Sequence, residues 1–266
     1  MANRKTAVAT LVFVGAQSLN LVASVVLTSN LSTTADGKTT QSQVVESIHG
    51  QIMGVHVIRD GDPGRVYVYD VAGGRVVILD RVKQEAESYD AVKAAAEVEK
   101  RMPSGLISGE IARTGRTKDL LGVRCEEYTF MLKAPLAEGV SLLRSGTAWL
   151  AKQGPGVEEY LAFYRSADTV LAAGSIKTPK ALVAVSRTDT EFYRRIAAIG
   201  GMPYAMEMKL TVEGGGFTAR LLRTSLAWSR IVTTTAVETT PLQDQMFAVP
   251  KGWKMKPTGY ASDKRD

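Results

Sequence analysis

The chain has 266 residues, of which 45% are hydrophobic and 23% are charged. Both fractions are close to those of globular proteins, so a mainly disordered chain is excluded, and the length is sufficient to bury a sizeable core. The net charge of +6 falls to +4 once Arg4 and Lys5 are removed with a leader segment, and no basic run contains interleaved aromatic residues. We therefore expect no nucleic-acid partner.

The N-terminus has the pattern of a secretory signal peptide. Two basic residues precede an apolar run at residues 7–14, and small residues follow up to Ala16. This order predicts cleavage after Ala16 and export, with the periplasm as the destination. The apolar run is too short to span a bilayer, so we expect a protein that is not membrane-spanning. The alternative is that these residues form an ordinary first strand.

The segment after the leader predicts a meander of antiparallel strands. Apolar and polar residues alternate over residues 19–27, which predicts a long strand. Further strands are predicted at residues 42–48, 51–58, 65–70 and 75–81, separated by glycine-containing turns. Good helix formers then occupy residues 84–102 before Pro103, which predicts the first helix.

The middle of the chain predicts a turn and two strands. Within residues 114–130, a polar segment between Gly115 and Gly122 predicts the turn, and a strand containing Cys125 follows it. A second strand is predicted over residues 143–151. Cys125 is the only cysteine, so an internal disulfide is excluded. We expect it to be a buried strand residue, with a reactive or intermolecular thiol as the alternative.

Two more helices and three strands complete the prediction. The helices begin at Pro155 and at Pro179, a residue type favoured at the first helical position. The strands are predicted at residues 204–212, 217–226 and 231–238. No linker or repeat interrupts residues 17–256, so we predict a single α+β domain there, followed by a polar tail at residues 257–266. About ten antiparallel strands and about three helices are expected, with the helices covering one face of the sheet.

The sequence contains no recognisable catalytic motif. Its two histidines, His49 and His56, lack the spacing of a zinc pair, and Glu126 and Glu127 are adjacent on a strand and so point to opposite faces. Asp189 interrupts the apolar stripe of the third helix, where it is expected to lie at an interface edge or to pair with a group such as an arginine. We expect a protein that is not an enzyme and has no cofactor or metal.

Aromatic and methionine side chains are the candidates for binding a hydrophobic ligand. They are concentrated on the surfaces predicted to lie between helices and sheet, where they either fill a core or line a cleft, and methionine suits adaptable apolar ligands. The candidate residues are Trp149, Tyr160, Phe163, Tyr164, Phe192, Met206 and Met208.

Several segments together resemble a known family. They are the hairpin DVAGGRVVILDR, the stretch TGRTKDLLGVRCEEYTF, GTAWLAK, GMPYAMEMKL and the closing MFAVPKGWK. Over residues 19–254 the chain resembles the uncharacterised bacterial family called domain of unknown function 4412. That family is similar to the periplasmic lipoprotein carrier and receptor group LolA/LolB, which implies an unclosed antiparallel half-barrel capped by helices around a hydrophobic cavity. This chain differs from those carriers because its first predicted helix follows the meander, and no binding residue carries over by motif.

Two functions are consistent with this pattern. The first is an exported, non-enzymatic protein that binds a lipid, an acyl chain or another hydrophobic ligand in a half-barrel cavity. The second is a cell-envelope module that fills its own core and uses its edge strands or surface to meet a partner protein. If the protein binds a ligand, we expect an unfilled apolar cavity in its structure. If it is an interaction module, we expect a packed interior.

Overall fold

The protein forms one large open sheet with helices packed against it. The computed structural model describes residues 24–59, 64–101, 106–242 and 244–256, and within them there are twelve strands and five α-helices. The strands are β1 (Ser24–Ala35), β2 (Lys38–His49), β3 (Ile52–Ile58), β4 (Arg65–Asp70), β5 (Arg75–Asp80), β6 (Glu85–Asp90), β7 (Ser108–Leu120), β8 (Val123–Ala137), β9 (Val140–Ala151), β10 (Met202–Glu213), β11 (Trp228–Glu238) and β12 (Lys254–Lys256). The helices are α1 (Ala91–Lys100), α2 (Val157–Ser166), α3 (Asp168–Ala173), α4 (Lys180–Ala198) and α5 (Gly216–Leu226).

The sheet consists of two meanders that meet at its centre. The strand order is β12-β6-β5-β4-β3-β2-β1-β11-β10-β9-β8-β7, so β12 and β7 form the two edges and the sheet does not close. All pairs are antiparallel except β12 with β6, and the β1–β11 pair joins the two meanders. The predicted fold class, an unclosed antiparallel sheet covered by helices, is confirmed with two more strands and two more helices than expected.

Alternation along the strands decides which face the helices cover. In β10, Met206, Met208 and Leu210 are buried while Glu207 and Lys209 are exposed, as their alternation predicted. Helix α4 covers this face, since Phe192 and Ile196 belong to one buried cluster with the side chains of β8, β9 and β10. Burying such side chains is the main favourable contribution to this packing.

The predicted helix over residues 84–102 is wrong in its first third. Residues Glu85–Asp90 form β6, and the helix begins only at Ala91. The carboxylate of Asp90 accepts a hydrogen bond from the backbone N–H of Lys93 at 2.9 Å, which fixes the helix start at this point. The edge of β5 provides hydrogen-bonding partners for the preceding residues, and this long-range pairing overrides their helix propensity.

The predicted strand over residues 217–226 is also wrong, because these residues form α5. Ala219 and Leu226 are buried and Leu222 is half-buried, and this i, i+3, i+7 spacing places all three on one side of a helix against β10. The glycines at residues 214–216 end β10 and allow the helix to begin immediately.

The segment at residues 114–120, predicted as a turn, belongs to β7. The pairing of β7 with β8 shifts register between Arg113 and Thr117, which is a bulge that contains Gly115 with a φ of 86°. The true turn is at Leu121 and Gly122, both of which have positive φ. The helix predicted from Pro155 is two helices, α2 and α3, separated at Ala167. The proposed signal peptide at residues 1–16, the predicted strand residues before Ser24 and the polar tail lie outside the described residues.

The cap at Asp90 gives a direct test of how α1 is positioned. Replacing Asp90 by Ala removes the acceptor for the Lys93 N–H, so we expect the free energy of unfolding to fall by about 1 kcal/mol. Asp90→Ser keeps an oxygen that can accept this bond and should lose much less. Urea titrations followed by far-ultraviolet circular dichroism measure both variants, and equal losses would contradict a capping role.

Candidate ligand-binding cavity

A cavity of about 340 Å³ lies between the sheet and helices α2 to α4. Its sheet wall comes from β1, β2, β3, β10 and β11, with one further residue each from β4 and β9. Most lining side chains are apolar or aromatic, such as Leu27, Val55, Leu171 and Val232. The volume is at the lower end of the range of roughly 300–1,000 Å³ that is typical of small-molecule sites.

Helix α4 has two stripes that face different surroundings. Ser186, Asp189, Thr190 and Tyr193 follow i, i+3, i+4, i+7 spacing and line the cavity. The neighbouring stripe, represented by Phe192, is packed in the core against Phe130 with ring centroids 4.5 Å apart. One side of α4 therefore packs against the sheet, and the other side forms a polar and aromatic part of the cavity wall.

Four tyrosines form the aromatic part of the wall. They come from different elements, with Tyr69 on β4, Tyr164 on α2, Tyr193 on α4 and Tyr204 on β10. The rings of Tyr164 and Tyr193 are stacked, with centroids 5.4 Å apart. Burial raises the pKa of Tyr193 to about 12 and also raises the pKa values of the other three. All four therefore stay neutral near pH 7 and present apolar rings with a hydroxyl group.

Glu46 of β2 is a carboxyl group in this otherwise apolar region. Among the described residues no hydrogen bond or ion pair to its side chain is found, and it lines the cavity together with Val44 and Val55. Burial away from bulk water raises the pKa of Glu46 to about 7. The neutral form of this group is therefore favoured far more than in an exposed glutamate.

An ion pair between a buried arginine and a partly exposed aspartate links the sheet to α4 beside the cavity. The side chain of Arg144, on β9, is 1% exposed, and its Nη1 pairs with the Asp189 carboxylate. Its Nη2 donates to the sulfur of Met208 at 3.0 Å, and its guanidinium lies 5.1 Å from the Phe192 ring centroid. Burial lowers the pKa of Arg144 to about 10, so it remains charged at neutral pH. The ion pair explains why the carboxylate of Asp189 interrupts the apolar stripe of this helix. Pairing with a group such as an arginine was one of the two expectations for this residue.

A second arginine, Arg230 of β11, also lines the cavity. Its Nε donates to the hydroxyl of Thr33 at 3.3 Å, and its guanidinium carbon lies 4.3 Å from the centroid of the Trp228 ring. Burial lowers the pKa of Arg230. Sequence reasoning identified neither arginine, although Arg144 stands on the same face of its strand as the buried Leu142 and Leu150, which is an available signal.

The structure brings three of the seven candidate ligand residues to the cavity. Tyr164, Met206 and Met208 line it. Tyr160 and Phe163 are fully buried in the main core cluster, where the Tyr160 and Tyr164 rings have centroids 4.4 Å apart.

The remaining two candidates lie elsewhere. Phe192 belongs to the core beneath α4, on the stripe that does not line the cavity. Trp149 is half-buried on the face of β9 opposite to Ala148 and Leu150, with the Lys118 amine 4.2 Å from its ring centroid. A ligand-binding role for the seven residues stays a prediction.

Cys125 and the histidines lie outside the cavity wall. Cys125 is fully buried on β8, as expected, and burial raises the pKa of its thiol to about 11. His49 Nδ1 is 2.7 Å from the hydroxyl of Ser24 at the end of the β1–β2 pair. Within the described ranges, no group of three or more His, Cys, Asp or Glu residues is arranged to hold a metal ion. Nor does any helix in this part of the chain combine the length and the apolar character needed to cross a membrane.

Comparison with known proteins gives similarity of overall shape alone. No family model and no curated protein matches the chain, so membership of the domain of unknown function 4412 family stays a prediction. Among solved structures, PNGF-II matches with a TM-score of 0.34 and 12% identity, over 88% of this chain and 31% of that one. A domain from Vibrio parahaemolyticus assigned to outer membrane lipoprotein sorting matches with a TM-score of 0.35 and 8% identity, over 84% and 88% of the two chains. A LolA superfamily protein from Nitrosomonas europaea matches with a TM-score of 0.31 and 7% identity, over 85% and 90%.

Glu46 provides a test of the cavity's electrostatics. The folded protein holds this proton more tightly than the unfolded chain, so the group makes stability decrease as pH rises from about 4.5 to about 7. The full effect of such a shift is about 3 kcal/mol. Glu46→Gln should remove this slope and make the protein relatively more stable above pH 7. Urea titrations at a series of pH values measure it.

The exposed Glu207 on β10 provides the matched control. Glu207→Gln makes the same chemical change on the other face of the sheet and should leave the slope between pH 4.5 and pH 7 in place. If Glu46→Gln and Glu207→Gln have the same pH profile, Glu46 is not in a dry environment.

Proposed function

We propose that the protein is an exported, non-enzymatic binding protein that holds a lipid, an acyl chain or another hydrophobic ligand between its sheet and its helices. The observation that carries this proposal is the cavity of about 340 Å³ with mostly apolar walls. Flexible methionines at Met206 and Met208 support it further, because they can adapt to ligands of different shape. The signal-like N-terminus supports the periplasm as the location.

The size of the cavity is consistent with useful affinity. A ligand that buries about 300 Å² of apolar surface gains about 7 kcal/mol from the hydrophobic effect, before the cost of immobilisation. Affinities in the micromolar range or weaker follow from this value. Such binding suits a carrier that must also release its ligand.

The cavity also distinguishes the two functions considered above. An interaction module with a self-filled core predicts a packed interior, in which voids larger than a water molecule are few. The unfilled space between β10 and α4 therefore favours ligand binding over the module.

A neutral fluorescent probe tests the proposal. N-phenyl-1-naphthylamine is apolar and gains fluorescence when it leaves water, so titration of the protein should give a saturable signal. Leu171→Trp places a larger side chain into the cavity wall and should weaken probe binding by about tenfold or more, because overpacking leaves less room. The wild-type protein with a natural lipid extract should show competition for the same site.

Leu221→Trp is the matched control, since Leu221 is 56% exposed on α5 and the same substitution there leaves the cavity unchanged. Circular dichroism and thermal unfolding establish that both variants are folded. A folded wild-type protein that gives no saturable signal, or equal probe affinity in both variants, would contradict binding in this cavity.

A further inference from the structure

Two arginines line the same end of the cavity. Arg230 of β11 is the cross-strand partner of Met208 on β10, and Arg144 of β9 donates to the sulfur of that methionine. The two guanidinium groups thus stand on either side of a single side chain. They are close enough for the charge of Arg230 to lower the pKa of Arg144.

The positive charge at this end is not balanced by the described residues. Asp189 is the carboxylate that pairs with Arg144. The described contacts of Arg230 are to the Thr33 hydroxyl and the Trp228 ring, neither of which is an anion. Arg59 adds a further cation whose charge reaches Arg230. Arg230 is half-buried and has no anionic partner among the described residues, and taking part of an unpaired charge out of water is costly, so this end of the cavity favours a negatively charged occupant.

Hydrogen-bonding capacity is also unused there. Nε of the fully buried Arg144 has no acceptor among the described residues, and the thioether that its Nη2 reaches is only a weak acceptor. Guanidinium groups bind carboxylate and phosphate oxygens with short, strong hydrogen bonds. The unused donors and the excess positive charge therefore both favour a ligand that carries a carboxylate or phosphate group.

The other carboxyl group of the cavity lies at a distance from the arginines. Glu46 is the partner of Leu27 on β1, whereas Arg230 is the partner of Thr33, six positions further along the same strand. This separation is about 20 Å along an extended strand. The apolar residue Leu31 and the ring of Tyr193 line the wall between the two ends, and Leu27 lines it beside Glu46.

We infer that the ligand is an anionic amphiphile whose carboxylate or phosphate head group lies at Arg144 and Arg230 and whose alkyl chain runs toward Glu46. This inference rests on the proposed function and specifies its ligand class. Glu46 contributes to the orientation, because its charged form repels an anionic head group from the far end of the cavity.

Matched ligands that differ only in their head group test the inference. Palmitate, hexadecyl phosphate and the neutral hexadecanol carry alkyl chains of the same length, and each is titrated against wild-type protein loaded with N-phenyl-1-naphthylamine, below its micelle concentration. We expect the two anions to displace the probe at concentrations about tenfold lower than the alcohol. Arg230→Gln should remove this preference by weakening both anions about tenfold while leaving hexadecanol unchanged.

Arg220→Gln is the control variant, because Arg220 is exposed on α5 and the substitution makes the same change in charge. It should retain the preference for anions. Inorganic phosphate is included as a competitor, since a free anion and a lipid head group share the same chemistry. We expect it to compete only weakly.

Each result has a separate meaning. Equal affinity for hexadecanol and the two anions, or a preference unchanged in Arg230→Gln, overturns the head-group inference and leaves the proposed function intact. If inorganic phosphate binds as tightly as hexadecyl phosphate, the inference that the ligand is an amphiphile is overturned, because the site then binds a free anion. A wild-type protein that binds neither the probe nor any of the three chains overturns the proposed function itself.

Discussion

The space between the sheet and the helices depends on how α4 is held. Phe192 and Ile196 anchor one stripe of the helix in the core, and the Arg144–Asp189 ion pair ties the adjacent stripe to β9. Arg144 loses its hydration on burial, an ion pair recovers such a cost poorly, and apolar residues in its place would often be at least as stable. The pair therefore fixes the position of the helix and keeps charge in the cavity wall, at some cost in stability. Tyr193, on the same stripe, lines the cavity while its ring packs against Tyr164 and Phe192 at the edge of the core.

The sheet has the complementary role of presenting an extended wall. Because β11 pairs with β1, strands from both halves of the chain contribute to one surface, and the cavity lies across that junction. Alternation in each strand determines that Leu27, Met206 and Val232 point inward. The same alternation places charged side chains such as Glu207 on the other face. Within the described ranges β7 and β12 have no further strand on their outer sides, so the sheet stays open, and helices cover its inward face.

Local pattern explains which parts of the fold the sequence predicts. Strict alternation identified β10, and glycine-containing turns located β4 and β5 correctly. The prediction was wrong where long-range pairing decided the outcome, since Glu85–Asp90 form a strand only because the edge of β5 is available. The candidate site was predicted in part: aromatic and methionine content led to Tyr164, Met206 and Met208, but also to core residues such as Phe163. Periodicity does not reveal which residue of a distant element stands opposite, so the Arg144–Asp189 pair and the isolation of Glu46 became visible only in the folded chain.

The most direct test of an occupied cavity is native mass spectrometry of the protein purified from an exported fraction without detergent. The account predicts a reproducible mass adduct that is removed by organic extraction and is identified as a lipid or acyl compound. An apo mass that stays unchanged after incubation with a mixed lipid extract would contradict ligand binding and would leave an interaction module as the better description.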